Sequence, residues 1–285
     1  MRLIMALFMA GSSLATAAPR LQALIVDGQN NHAWQQTTPV LKRLLEETGL
    51  FMVDVATTPP LHGDFSAFRP DFRKYRVVVS NYNGEAWPAE VQTAFESYVR
   101  GGGGFVVYHA ADNAFPEWPQ YNEMIALGGW GARNEKAGPY LRYRDGKISL
   151  DPSPGPGGHH GKQHAFVVAV RDRDHPVTRG LPEKWMHAQD ELYDRLRGPA
   201  KNLTLLATAW SDPSTNGTGE HEPMLLTVKY GKGRIFHTTL GHGLEAMRCT
   251  GFIVTYQRGT EWAASGKVSQ PVPPDFPGQD RVSLR

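Results

Sequence analysis

The alternation of short apolar runs with amphipathic segments is the feature of this sequence that most constrains its fold. Leu21–Val26 is a continuous apolar run that ends in Asp27-Gly28, which is typical of a strand buried on both faces. Thr38-Pro39 favours the start of a helix that ends at Gly49. The alternation continues through three more strands and one helix, at Phe51–Ala56, Arg76–Ser80, Pro88–Arg100 and Phe105–His109. This order predicts a parallel sheet covered by helices.

The second half of the chain keeps its strand patterns but loses the regular alternation with helices. Asp151–Gly161 is rich in proline and glycine and predicts a loop. Strands are predicted beyond it at Phe166–Val170, Leu203–Ala209, Leu225–Tyr230 and Arg234–Thr239. Gly231-Lys232-Gly233 separates the last two and indicates an antiparallel hairpin, and Gly251–Ala264 indicates a closing helix. We therefore expect one α/β domain with a mixed sheet over residues 18–267, followed by an irregular tail at residues 268–285.

Composition excludes several classes of function. Among 285 residues, 30 Lys and Arg stand against 28 Asp and Glu, and no basic run is long enough to indicate nucleic-acid binding. A single cysteine, Cys249, excludes an internal disulfide framework. Gly101–Gly104 lies between a helix and the next strand, whereas a phosphate-binding loop follows a strand and opens a helix. We expect no nucleotide cofactor.

The N-terminus has the pattern of a secretory signal. Met1-Arg2 is followed by the apolar run Leu3–Ala10 and by Ala15-Thr16-Ala17, a small-residue cleavage site. Residues 1–17 are therefore expected to be a signal peptide, and the protein to be exported to the periplasm or the medium. The run is too short to span a bilayer well, and no later segment approaches a membrane span.

Polar residues follow the predicted strands at the points where the strands end. They occur in Asp27–His32, Asn81–Glu85, His109–Asn113 and Gly241–Gly243. Ligands of an open α/β sheet bind at the carboxyl ends of its strands, so these loops together predict a polar site on one edge.

Several motifs in a fixed order give this chain a family resemblance. They are Asp27–His32, Gly102–Phe115 (GGGFVVYHAADNAF), Gly158–Phe166 (GHHGKQHAF), His175–Pro182 (HPVTRGLP), Asp190–Tyr193 and Gly231–His242 (GKGRIFHTTLGH). Over essentially the whole chain after the signal, the sequence resembles the ThuA, or trehalose-utilisation, family. The resemblance implies a three-layer sandwich similar to flavodoxin-like and class I glutamine amidotransferase-like folds, with a mostly parallel sheet. It also implies a role in bacterial metabolism of trehalose and oxidised (3-keto) disaccharides.

The glutaminase reaction itself is not expected. It needs a cysteine on a strained strand-to-helix turn, paired with a histidine. The corresponding turn reads His109-Ala110-Ala111-Asp112, and Cys249 lies elsewhere, before the last predicted helix.

The candidate site residues are histidines, carboxylates and amides of these loops. We predict catalytic roles for His109, His242, Asp190 and Glu191, of which the last two are adjacent, so that at most one faces inward. Substrate contacts are predicted for Asp27, Asn30, His32, Asn81, Asp112, Asn113, His160 and Tyr193. A divalent metal such as zinc is predicted on His109, His164 and His242. The alternative for each histidine is a structural or solvent-exposed role. His62, His187 and His221 carry no site context, and His237, inside a strand, is expected in the core.

Two classes of function are open at this point. The first is an enzyme that acts on a keto-glycoside or disaccharide by isomerisation, elimination or hydrolysis, with His109 or His242 as acid and base. The second is a non-catalytic carbohydrate-binding or accessory protein. Either way, His109 and His242 are expected in one cleft, about 10 Å apart or closer, with His32 and Asp112 on its rim.

The export prediction is tested by intact mass. Protein recovered from the periplasm or the medium should lack about seventeen residues at its N-terminus, because the signal is cleaved on export. A full-length chain found only in the cytosol contradicts export.

Overall fold

The computed structural model describes residues 19–285, so the predicted signal at residues 1–17 lies outside the described residues. The strands are β1 (Leu21–Asp27), β2 (Phe51–Thr57), β3 (Val77–Ser80), β4 (Gly104–Tyr108), β5 (Tyr140–Arg144), β6 (Lys147–Asp151), β7 (His159–His160), β8 (His164–Val170), β9 (Lys184–Asp190), β10 (Tyr193–Asp194), β11 (Leu203–Ser211), β12 (Glu220–Tyr230) and β13 (Gly233–Thr238). The helices are α1 (Trp34–Glu46), α2 (Ala89–Arg100), α3 (Pro119–Ile125), α4 (Leu244–Met247) and α5 (Thr250–Ser265). Within the described range, no helix is long and apolar enough to cross a membrane.

One large mixed sheet runs in the order β2-β1-β3-β4-β13-β12-β11-β8-β9. Neighbours from β2 to β13 are parallel, and neighbours from β13 to β9 are antiparallel. The mixed sheet and the β12–β13 hairpin are confirmed. Each antiparallel step reverses direction, so β11 and β9 point the same way as β13. The carboxyl end of β9 therefore faces the same edge as the carboxyl ends of the parallel strands.

Helices cover the sheet on both faces. Leu41 of α1 and Phe252 of α5 pack with Ile25 of β1 in one buried core. On the opposite face, Phe95 of α2 and Tyr121 of α3 belong to a second core. Strands buried on both faces need apolar residues at successive positions, which explains the continuous runs that locate β1, β3 and β4 in the sequence.

Two sequence expectations are corrected here. Helix α1 begins at Trp34, so Pro39 lies inside the helix rather than in its first turn. Proline fits best at a first turn because it lacks a donor, and this preference placed the predicted start too late. The antiparallel pair β5–β6 and the edge strand β9 were not predicted. Strand β9 reads KWMHAQD and buries His187 and Asp190, so it lacks the apolar signature of a strand.

The tail at residues 268–285 is irregular, as expected, but it is packed. Val268, Val272 and Phe276 lie against the core that contains α5. Leu284 also forms an isolated backbone bridge with Cys249. The tail thus covers the amino end of α5.

Candidate metal centre

Four side chains converge at the carboxyl edge of the sheet: His32, His109, Glu191 and His242. They follow β1, β4, β9 and β13, so four separate segments deliver one group each. One potential ligand atom from each residue lies within 4.8 Å of all the others. From the nearer Glu191 carboxylate oxygen, the distances are 2.9 Å to His242 Nδ1 and 3.8 Å to Nε2 of both His32 and His109.

His109 has a strained backbone conformation, and its imidazole ring is held in one orientation. It follows β4 and opens a 3₁₀ turn, with a φ of +44° that non-glycine residues rarely adopt. Its Nδ1 lies 2.6 Å from the Thr239 carbonyl oxygen, and the residue is 1% exposed. A carbonyl only accepts, so Nδ1 carries the hydrogen and Nε2 presents its lone pair to Glu191.

His32 is oriented in the same way by an amide network. Asn30 Oδ1 accepts from the His32 backbone N–H at 2.9 Å and from His32 Nδ1 at 3.0 Å. Asn30 in turn donates to Asn81, whose own amide donates to the hydroxyls of Thr37 and Thr38 in α1. Asn30 and Asn81 were predicted to bind substrate. The structure instead gives them the task of fixing the His32 imidazole with Nε2 toward Glu191.

Two of the nitrogens that face Glu191 are buried without a hydrogen-bond partner. They are His109 Nε2 and His242 Nδ1, the second of which approaches Glu191 closely but out of line for a hydrogen bond. A buried polar atom without a partner is costly, and such atoms call for a ligand or an ion. Histidines that bind metals have this arrangement, in which the far ring nitrogen donates to a carbonyl or carboxyl oxygen.

The electrostatics of the cluster favour an ionised Glu191. Burial raises the pKa of this carboxyl, but the imidazoles of His109, His242 and His32 outweigh burial and bring the pKa far below its usual range. The close approach of Glu191 raises the pKa of His242, whereas burial lowers the pKa of His32. The cluster thus combines one negative charge, on Glu191, with three imidazoles whose ring nitrogens are potential metal ligands.

Asp190 lies behind the site rather than in it. Its buried carboxylate accepts from the backbone N–H groups of Gly241 at 2.7 Å, His242 at 3.0 Å and Glu191 at 2.8 Å. It also contacts His187 Nε2 at 2.8 Å. Of the two adjacent carboxylates, only Glu191 lines the cavity, in agreement with the expectation that at most one of them faces the site. Asp190 does not line the cavity, and its carboxylate holds the backbone that carries Glu191 and His242, so its catalytic role stays a prediction.

His187, which carried no site context in the sequence, is the buried partner of Asp190. Burial lowers its pKa, but the hydrogen bond that His187 donates to Asp190 and the nearby Cys249 sulfur outweigh burial and raise the pKa to about 9. Burial raises the pKa of Asp190 as well, and the contact with His187 lowers it on balance. Cys249 is fully buried beside this pair, consistent with its expected packing role.

A cavity of about 630 Å³ opens onto the cluster. Of the predicted substrate contacts, Asn113, His160 and Tyr193 line it, together with His32. Residues that sequence reasoning did not select also line it: Asn31, Asn83, Phe115, Pro116 and Trp130. The Trp130 and Tyr193 rings lie 4.6 Å apart between centroids, and His160 stacks on Tyr193 at 6.3 Å.

Seven predicted site residues are not part of the cavity lining: Asp27, Asn30, Asn81, His109, Asp112, His164 and Asp190. Asp27 is buried and accepts from the Thr57 hydroxyl at 2.6 Å. Asp112 is fully buried with His237, 3.3 Å away, so it does not lie on the rim. His164 begins β8 and turns Nδ1 to the Lys162 carbonyl, so it is no member of the cluster, whose other two members are His32 and Glu191. By contrast, the His109 and His242 rings are 5.4 Å apart, inside the expected distance.

Three imidazoles and one carboxylate form a ligand set suited to a divalent transition metal such as Zn²⁺. Ligands about 2.1 Å from a tetrahedral metal lie about 3.4 Å from one another. The donor atoms here lie within 4.8 Å of one another, so a contraction of about 1 Å suffices to reach that geometry.

A mixed α/β sandwich with a buried three-histidine, one-glutamate cluster at its carboxyl edge defines the class of this protein. The chain matches the family model for ThuA (trehalose utilisation) over residues 22–263, and it belongs to this family. It is similar to a ThuA-like protein of Parabacteroides merdae, with 52% identity over 94% of this chain and 98% of that chain and a TM-score of 0.92.

More distant solved structures share the fold alone. A ThuA-like protein of Bacteroides uniformis is 21% identical over 91% of this chain and 97% of that chain, with a TM-score of 0.60. A β-galactosidase of Rahnella is 15% identical over 93% of this chain but only 34% of that chain, with a TM-score of 0.52. No curated protein is similar enough to this chain to count as a match.

The His187–Asp190 pair predicts a specific pH dependence of stability. Because the pKa of His187 rises from 6.5 to about 9 on folding, its contribution is complete below pH 6.5 and is lost as the pH rises through about 9. The contribution amounts to about 3 kcal/mol. The free energy of unfolding, measured with urea at several pH values, should fall over this range in the native protein and much less in Asp190→Asn. Asp275→Asn removes an exposed ion pair with Arg285 and serves as control. If the free energy of unfolding falls equally with pH in the native protein and in Asp190→Asn, the raised pKa of His187 does not come from Asp190.

Proposed function

We propose that this protein is a metal-dependent enzyme that acts on a sugar, with a keto-glycoside or disaccharide as substrate. The observation that carries the proposal is the cluster of His32, His109, His242 and Glu191, of which His32, His242 and Glu191 line an open cavity. Membership of the trehalose-utilisation family supports a carbohydrate substrate.

The residues present fit a divalent metal. His32 and His109 would hold it through Nε2, His242 through Nδ1, and Glu191 through a carboxylate oxygen. When bound, such an ion supplies a Lewis acid that polarises a carbonyl or hydroxyl oxygen of the substrate. Asn30 and the Thr239 carbonyl keep the first two imidazoles in the required orientation.

His160 is the residue we assign to proton transfer. With the cluster engaged on the metal, the cavity-lining groups left to titrate among the described residues are His160 and Tyr193. Burial raises the pKa of Tyr193 well above its ordinary value, so the phenol keeps its proton. The His160 Nδ1 donates to the Gly161 carbonyl at 2.9 Å, which leaves Nε2 free to accept a proton. The acid–base role expected of His109 or His242 thus passes to His160.

The reaction would be a proton transfer beside a carbonyl or a hydrolysis. Imidazole is the side chain most often used to accept and return a proton in such steps. His160 Nε2 lies 3.6 Å from Glu191, so a substrate oxygen at the cluster has the base beside it.

The rest of the cavity suits a sugar ring. Trp130, Tyr193 and Phe115 offer aromatic faces that pack against the apolar C–H faces of pyranoses. Asn31, Asn83 and Asn113 offer amides that can donate to and accept from hydroxyl groups. The cavity volume of about 630 Å³ lies within the range of small-ligand sites.

A relation to glutamine amidotransferase-like folds is part of the proposal. The parallel strands in the order β2-β1-β3-β4-β13 have the arrangement of flavodoxin-like sheets, which supports it. In that comparison, His109 stands on the strained turn that carries the nucleophile of glutaminases. We also propose export of the protein, on the sequence pattern of residues 1–17.

Metal binding is the first prediction of this proposal. Protein stripped with a chelator should bind one Zn²⁺ per chain in calorimetry. Glu191→Gln and His109→Ala each remove a direct ligand, so each should weaken binding beyond the about 10–100-fold typical of lost outer-shell partners. His164→Ala should bind as the native protein does. Unchanged affinity in Glu191→Gln and His109→Ala contradicts the proposed centre.

Turnover of a 3-keto-disaccharide separates an enzyme from an accessory sugar-binding protein. His160→Ala should lower kcat by about 10²–10⁴ because it removes the proton carrier, while Zn²⁺ content stays unchanged. His62→Ala alters an exposed histidine outside the cavity and should leave kcat unchanged. Binding of the sugar without turnover by the metal-loaded native protein favours the accessory role instead.

A further inference from the structure

An exposed tryptophan marks a second surface on the antiparallel half of the sheet. Trp210 in β11 is 46% exposed, and it is the only Phe, Tyr or Trp among the described residues with a highly exposed side chain. Exposure of a large aromatic ring on a folded domain is unfavourable, so an exposed ring with open clefts on both sides points to a ligand. We define the Trp210 surface as Trp210, His221, Tyr143, Arg171 and Lys184.

The rings and the guanidinium of this surface hold one another in place. His221 meets Trp210 edge to face at 5.3 Å and Tyr143 at 6.4 Å. The Arg171 guanidinium stacks 4.2 Å above the Tyr143 ring, and its Nε donates to the Thr208 hydroxyl at 2.8 Å. The Trp210 ring therefore rests on a preorganised support, which lowers the entropic cost of binding.

Open clefts lie on both sides of the tryptophan. One has a volume of about 430 Å³ and is also lined by Lys184, Gln279 and Asp280. The other, of about 600 Å³, is also lined by Tyr143 and Glu220. Trp210, Arg171 and His221 line both clefts, so an extended ligand can cross the tryptophan from one cleft to the other. Neither cleft shares a residue with the cavity at the metal centre.

The charges in the smaller cleft identify the chemistry of the ligand. Arg171 contacts only neutral partners, and Lys184 is exposed and forms no ion pair within residues 19–285. Two cations without carboxylate partners on one cleft wall are complementary to an anionic group. Asp280 and Gln279 in the same cleft can accept hydrogen bonds from hydroxyl groups.

We propose that the Trp210 surface binds an acidic unit of an oligosaccharide. The apolar face of the pyranose packs on the Trp210 ring, and the sugar carboxylate lies against Arg171 and Lys184. Glu220 and Asp280 accept from hydroxyls of neighbouring units. A nucleic acid is not favoured, because the chain has a net charge of only +2 and no long basic run. The proposal does not depend on the metal centre.

Calorimetric titration of the native protein with trigalacturonate, galactotriose and a dT oligonucleotide tests this proposal. We expect trigalacturonate to bind with a dissociation constant that rises with salt, and galactotriose to bind about tenfold more weakly or worse. Trp210→Ala should weaken trigalacturonate binding about tenfold or more. Lys184→Gln should weaken it about threefold and flatten the salt dependence. Leu150→Ala, an exposed apolar residue outside both clefts, is the matched control and should bind as the native protein does.

Four results of these titrations would overturn the proposal. Equal affinity for galactotriose and trigalacturonate contradicts the role of Arg171 and Lys184. Native-like binding by Trp210→Ala contradicts the packing of a sugar ring on Trp210. Preferred binding of the oligonucleotide, or association of the chain with itself through this face, also overturns it. Glu191→Gln should retain trigalacturonate binding, so a failure of the metal centre and a failure of this surface are distinguishable.

Discussion

The Asp190 carboxylate is the interaction on which the site depends. It accepts from the backbone of Gly241, His242 and Glu191 and is neutralised by His187, so one buried group fixes two of the four cluster segments. In the sheet order, β9 is an edge strand separated from β13 by three others. In a flat sheet, about 4.8 Å per strand would place them about 19 Å apart. The contact is made by the segment that follows β13, whose Gly241 and His242 reach toward the end of β9. Register shifts in β11 and in the β8–β9 pair are bulges of the kind that bend strands, and they curl this half of the sheet toward that segment.

The curled half and the parallel half of the sheet contribute different parts of the centre. The parallel strands β1 and β4 deliver His32 and His109, whose imidazoles are fixed by an amide and by a carbonyl. The curled half brings Glu191 and its negative charge to them. Strain at His109, with its positive φ, persists because the Thr239 carbonyl and the packing around a 1% exposed residue hold it there. The same geometry leaves buried nitrogens without hydrogen-bond partners, which is the physical reason to place a metal among them.

The sequence predicted the parts of the fold that local patterns encode. The apolar runs of β1, β3 and β4, the glycine turn of the hairpin and the closing helix were all recognised, and so was the edge that carries His109 and His242. The roles of Asp190 and His187 could not be read from the sequence, because they depend on contacts between β9 and the Gly241–His242 backbone, about fifty residues further along the chain. The motif around Asp190-Glu191 indicated two adjacent carboxylates, but only the curl of the sheet decides which one faces the cavity. His164 was predicted as a ligand because it lies beside the glycine-rich loop, but at the start of β8 its Nδ1 turns to the Lys162 carbonyl.

The most direct test of the central claim is a crystal structure of the zinc-loaded protein with anomalous data collected at the zinc edge. The account predicts one anomalous peak bound by Nε2 of His32 and His109, Nδ1 of His242 and an oxygen of Glu191. A peak at His160 or His164 instead would contradict it. So would the absence of a peak at the cluster in fully loaded protein, with His242 and Glu191 joined in a simple hydrogen bond.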